Sequence, residues 1–155
     1  MDSSEIPAIG EGKRGTDGHI AYLLRQASAA VRQRLEQGFA AHHITLPQFT
    51  LLTMLKAYPG QSGAELARLA MLTPQTVNVI TANLLKRGAI VRVRSGEDKR
   101  IFALSLTEQG ARDLSACRAI ADTVERQLLA GTSAADEAVI RRWLVSVALA
   151  GDGQE

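Results

Sequence analysis

The sequence predicts a mostly α-helical fold interrupted once by a small β-hairpin, in the order α-α-α-α-β-β-α-α. Three observations lead there. Apolar residues recur at helical spacing over long stretches, as from Ile20 to Phe39 and from Leu114 to Leu128. The period drops to two at only two places, Ile90 to Arg94 and Ile101 to Leu106. Composition agrees: 46% of the chain is apolar but only 4% aromatic, with 4 prolines in 155 residues, so Leu, Ala, Val and Ile must form the core.

Residues 1–16 lack periodicity and are expected to form a flexible N-terminal arm. From about Asp17 the stripe Ile20, Leu24, Ala27, Val31, Leu35 and Phe39 predicts a long amphipathic helix ending near Gly38–His43. A second helix opens at Leu46-Pro47, with Pro47 suited to the first helical position, and stops at Tyr58-Pro59-Gly60. Ser62 and Glu65 form a capping box for a short helix with Leu66 and Leu69 inward. Met71-Leu72 is a turn. Thr73 then caps a helix with Pro74 first, Val77, Ile80, Leu84 and Leu85 inward, and Gly88 as its stop.

Ser95-Gly96-Glu97-Asp98 joins the two strands as a hairpin loop. Thr107 caps the next helix, whose stripe is Leu114, Cys117, Ile120, Ala121, Val124 and Leu128. Gly131-Thr132-Ser133 breaks it. A last helix from about Ala134 to Ala150 carries Val139, Ile140, Trp143 and Val147 on its apolar side.

Two capped helices, a tight turn and a hairpin make a winged helix-turn-helix, assigned to residues 46–107 as a DNA-binding domain. The flanking stripes, 17–45 and 108–150, are assigned to a helical dimerisation region, although either stripe can equally be the core of a monomer. Charge follows the same division. Between Ser62 and Arg100 seven bases face three acids, a net +4, against +2 for the whole chain. A basic centre between neutral or acidic arms suits a phosphate-binding surface, as it also suits a solvated face.

The second helix of the unit is the one that enters a major groove. Its candidate contacts are Thr73, Gln75, Thr76, Asn78 and Asn83, because amides pair bidentately with adenine and a Thr methyl packs on thymine. The wing supplies Arg92, Arg94, Lys99 and Arg100, cations suited to phosphate or a narrow minor groove. Asp98 is read as a clamp on a neighbouring arginine, or as an ordinary turn aspartate.

These residues carry a resemblance. Gln48, Glu65-Leu66-Ala67, Thr76-Val77, Leu84 with Arg87-Gly88, Asp98-Lys99-Arg100 and Leu106-Thr107-Glu108-Gln109-Gly110 resemble the MarR family of bacterial transcriptional regulators over roughly residues 17–150. Ser95-Gly96 stands where many members have prolines. The resemblance implies a homodimer whose first and last helices interlock and whose two winged units bind double-stranded DNA at a palindromic operator. It also implies a repressor released by a small anionic or phenolic effector.

Other functions find less support. No Ser/His/Asp set, phosphate loop or carboxylate pair marks an enzyme. The one cysteine, Cys117, lies on an apolar stripe and reads as a buried thiol, not a redox sensor. His19, His42 and His43 lack a carboxylate or cysteine at ligand spacing, so neither a metal nor any cofactor is expected. Tyr22, Arg25, His42, His43 and Met54 are weighed as the lining of an effector pocket. The alternatives are a redox- or metal-responsive regulator of the same fold, or a winged-helix protein-interaction module. With neither a secretory signal nor a membrane-length apolar run, the expected location is the cytoplasm.

Overall fold

The computed structural model describes residues 6–94 and 102–152. Its elements are α1 (Ile20–Ala40), α2 (Leu46–Ala57), α3 (Gly63–Ala70), α4 (Pro74–Arg87), β1 (Ile90–Arg94), β2 (Phe102–Leu106), α5 (Glu108–Leu128) and α6 (Ala134–Asp152). The chain forms two compact units, Met1–Ala121 and Asp122–Glu155.

The first unit is built on capped helices around one core. Ser62 Oγ accepts from the Glu65 N–H at 3.3 Å, and Glu65 Oε2 accepts from the Ser62 N–H at 2.7 Å. That hydrogen bond from the Ser62 backbone holds the Glu65 carboxyl below its usual range. The same device, unforeseen, opens α2: Thr45 Oγ1 accepts from the Gln48 N–H and Gln48 Oε1 from the Thr45 N–H. Pro47 is therefore the second helical residue, not the first, and its missing N–H still costs nothing. Phe39 of α1, Leu51, Leu52 and Leu55 of α2, Leu66 of α3, Val77 and Leu84 of α4, Leu104 of β2 and Leu114 of α5 meet in the core.

Several expectations shift. Leu69 is 37% exposed, while Leu66, Ala67 and Ala70 are buried; eight residues are too few for periodicity to fix which edge turns inward. Of the α1 stripe only Phe39 is buried, and Ile20 is exposed. Leu128 is exposed too. The arm expected to be irregular contains a 3-10 turn at Gly12–Arg14. Arg14 Nη1 donates to the Pro7 carbonyl at 2.9 Å, and Gln26 Nε2 donates to the Arg14 carbonyl at 3.2 Å. Gly10 and Gly12 take positive φ there, so glycines that suggest a loose chain are what permit the tight turn.

In the second unit, Ser133 Oγ caps α6 by accepting from the Asp136 N–H. Arg141 pairs with Glu137 at 2.7 Å and with Glu125 at 2.9 Å. Val139, Ile140, Trp143, Leu144 and Val147 of α6 are exposed.

Two junctions fix the end of α4. At the first, Gly88 closes the helix at φ 74°, and the Thr107 hydroxyl donates to its carbonyl at 2.6 Å. The Thr107 N–H donates to the Ala89 carbonyl, and Thr107 Oγ1 accepts from the Gly110 N–H. A Cβ on Gly110 would collide with the Ala89 carbonyl. The Leu-Thr-x-x-Gly run is thus a cap, a staple and a close approach in one. At the second, Arg87 Nε donates to Asp113 Oδ2 at 2.7 Å and Nη2 to Oδ1 at 3.1 Å. Nη2 also reaches the His42 carbonyl at 2.9 Å and Nη1 the His43 carbonyl at 3.4 Å. Gln109 Nε2 donates to Asp113 Oδ1. The Arg87 hydrogen bond, aided by Gln109, holds the buried Asp113 carboxyl below the usual carboxylate range. Cys117, one turn on, is fully buried, and burial pushes its thiol up.

Gly110→Ala is expected to destabilise the protein by about 1–3 kcal/mol, because backbone must move to admit the methyl; urea unfolding checks this, and an unchanged midpoint refutes the close contact. Asp113→Asn is expected to cost about 1.5–3 kcal/mol at neutral pH. Since folding lowers the Asp113 pKa, its contribution is present above the unfolded carboxylate value and lost as pH falls through the folded one. The gap between wild type and variant should therefore shrink in acid, and a gap constant from neutral to acidic pH would show that the pair is not held by charge.

Candidate nucleic-acid interface

Local chemistry sets the relation between α3 and α4. Met71 ends α3 in the left-handed region at φ 53°, and the Leu72 N–H donates to the Ala67 carbonyl. Thr73 then opens α4, its Oγ1 accepting from the Thr76 N–H at 3.2 Å. The two threonine hydroxyls lie 2.8 Å apart. Thr73 and Thr76, both expected to face DNA, are exposed but partly engaged with each other.

The buried residues of α4 are Val77, Ile80, Thr81 and Leu84. Gln75, Val79, Ala82 and Lys86 recur at helical spacing on the opposite side, and all four are exposed. This stripe is the outermost line of the helix. Gln75 belongs to it as expected. Asn78 and Asn83 are exposed on its two flanks. Asn83, Thr76 and one edge of Val79 line a groove of about 480 Å³ with Arg32, Glu36 and Gln48. Sequence reading followed polar residue type and so passed over Val79 and Ala82. The signal that finds them is geometric: they lie opposite the centre of the four buried positions.

The wing pairs β1 with β2 antiparallel, Arg92 against Leu104 and Arg94 against Phe102. Arg92 and Arg94 therefore share one face and both are exposed. At the root, the Leu104 N–H donates to the Gln61 carbonyl, tying the hairpin to the loop before α3. Asp98, Lys99 and Arg100 lie outside the described residues, as does the Ser95-Gly96 turn.

Two further readings change. Arg87 was counted with the basic centre, but Asp113 neutralises it, which lowers the positive charge free to meet phosphate by one. His42 and His43 contribute carbonyls, not imidazoles, to the polar junction around Arg87. Of the residues weighed for an effector pocket, Tyr22 and His43 line different cavities. Tyr22 lines one of about 550 Å³ with Arg14 and His19, whereas His43 lines another with Glu36 and Ile44. Among the described residues no cluster of three His, Cys, Asp or Glu is placed to hold a metal ion. No helix among them is long and apolar enough to cross a membrane.

This arrangement has relatives. The MarR family model matches residues 44–102, from the end of the turn before α2 into β2. The HTH-type transcriptional repressor Rv2887 of Mycobacterium tuberculosis is 32% identical over 128 residues, 83% of this chain and 92% of that protein. The crystal structure of Rv2887 with DNA has 29% sequence identity to this chain and a TM-score of 0.68, over 84% of this chain and 98% of that one. Its salicylic acid complex is similar at 31% identity and the same TM-score, over 85% and 98% of the two chains. The Staphylococcus aureus MepR–DNA complex, at 23% identity, shares the fold with a TM-score of 0.80 over 87% of this chain and 98% of that one. Similarity of this extent to a curated repressor, together with the winged unit, shows that the chain belongs to the MarR family of winged helix-turn-helix transcriptional regulators.

Proposed function

We propose that the protein is a sequence-specific DNA-binding repressor that grips a palindromic operator as a homodimer and is released by a small organic anion. The observation that carries this reading is α4: one face is buried in the core, and the other offers Gln75, Asn78 and Asn83 to solvent, while the hairpin that follows exposes Arg92 and Arg94. A fixed helix with free amides and flanking cations is what base readout and backbone anchoring require. Rv2887, which has been crystallised with DNA and with salicylic acid, supports both the partner and the class of effector. Thr73 and Thr76 add hydroxyls at the start of the helix. We extend the proposal to Lys99 and Arg100 as further phosphate-binding cations, and to Asp98 as a clamp on a neighbouring arginine. The protein acts as a binder, not an enzyme, and works in the cytoplasm where its DNA is.

Dimerisation draws support from exposed apolar side chains. Ile20 on α1 and Val139, Ile140, Trp143, Leu144 and Val147 on α6 all remain open in the single chain. Surfaces of that kind on a protein of this size usually mark an interface. A dimer also explains a two-fold operator, because each copy brings one recognition helix.

Binding-site selection on random DNA, with light scattering on the free protein, tests the proposal: a symmetric motif and twice the chain mass are expected. An asymmetric motif or a monomeric mass at micromolar concentration overturns the two-fold reading. Salicylate should weaken binding to the selected site. Arg94→Ala should reduce the slope of log affinity against log salt by about 0.9 per phosphate contact removed. A slope equal to wild type would take Arg94 out of the interface. Gln75→Ala should relax the preference at one position of each half-site, at about 1–3 kcal/mol per lost bidentate contact; an unchanged selected motif would place base reading elsewhere.

A further inference from the structure

We infer that Val79 is a specificity-determining residue, reading the C5-methyl of a thymine in each half-site. The inference rests on the DNA-binding reading above and deepens it. Val79 is 62% exposed and sits in the outermost stripe of α4, between Gln75 and Lys86. Its side chain makes no hydrogen bond, so it cannot answer the donors and acceptors that distinguish most base edges. The one apolar feature in the major groove is the thymine methyl. Ala82, next along the stripe, is the smallest chiral residue and leaves room for the helix to approach the bases.

Position agrees with chemistry. At about 1.5 Å per residue, Val79 lies about 6 Å along the axis from Gln75. That is a little under two base-pair rises of about 3.4 Å each. The amide and the isopropyl group can therefore address two base pairs one to two steps apart from one helix, adenine for Gln75 and thymine for Val79. An exposed valine is otherwise a poor choice, since it favours helix less than alanine and leaves apolar surface in water. The groove suits it on both counts, because burial against a methyl recovers that surface.

Replacing thymines one at a time by deoxyuridine in the selected operator removes the methyl and leaves every hydrogen-bonding group. Wild type should lose about fourfold in affinity at one thymine of a half-site, and about fifteenfold when both half-sites are changed, the worth of one buried methyl each. Val79→Ala, which removes both γ-methyls, should lose most of the discrimination between the thymine and deoxyuridine operators, with the salt slope of wild type. Val79→Thr, which keeps one methyl, should retain part of the discrimination. Val79 lies outside the core, so both variants should keep the circular dichroism of wild type, and Val79→Ala should be no less stable on unfolding. The inference is overturned if no thymine is sensitive to deoxyuridine, or if Val79→Ala keeps the full sensitivity. Failure of wild type to select any site would instead overturn the DNA-binding reading on which it rests.

Discussion

The guanidinium of Arg87 joins three segments distant in sequence: the last turn of α4, the carboxylate of Asp113 on α5, and the carbonyls of His42 and His43 before α2. Its planar fork suits this task, since donors on separate edges meet the carboxylate and the backbone together. The charge it neutralises is buried, so leaving Asp113 alone would be costly. Gly88, Thr107 and Gly110 complete the joint from the other side through hydrogen bonds and close packing. Within the first unit, the wing that follows α4 inherits its direction from this joint. The hairpin begins two residues after Gly88, so the joint also aims Arg92 and Arg94.

Precision at the base of the helix matters because readout at its surface is short-ranged. A bidentate amide contact tolerates only small errors of position. The capping Thr73 at the start of α4 and the clamp at its end hold both termini, and the four buried residues hold the middle. What remains free is the outer stripe. The protein thus separates two duties along one helix: the inner face supplies rigidity and the outer face supplies choice. Cys117 belongs to the first duty, as a buried thiol whose ionisation is disfavoured beside Asp113.

Much of this was legible from sequence because the signals are local. Caps at Ser62, Thr73 and Thr107, the stop at Gly88 and the change of period at Ile90 are each written within a few residues. The capping box of Thr45 and Gln48 is equally local, but Pro47 masks it by signalling the same helix start. The Arg87–Asp113 pair could not be read, because its partners lie far apart along the chain and their charges look like ordinary surface charge. The facing of α4 is half legible: periodicity marks the buried side, but Val79 gives no signal of its own, because an apolar residue reads as core whichever face it occupies. The 3-10 turn near Arg14 was missed for a related reason, since glycine serves tight turns and loose chain alike.

The use of backbone carbonyls by Arg87 has a consequence for how this chain can vary. A carbonyl is the same in every residue, so the imidazoles of His42 and His43 can be exchanged without touching the hydrogen bonds. His43 narrows the choice only through its φ of 53°, which favours Asn or Gly among replacements. Length has no such latitude. One residue added to or removed from the turn between α1 and α2 would shift both acceptors away from the guanidinium. The turn should therefore drift freely in identity among relatives while its residue count stays constant, a pattern that reveals a structural joint where side-chain conservation shows nothing.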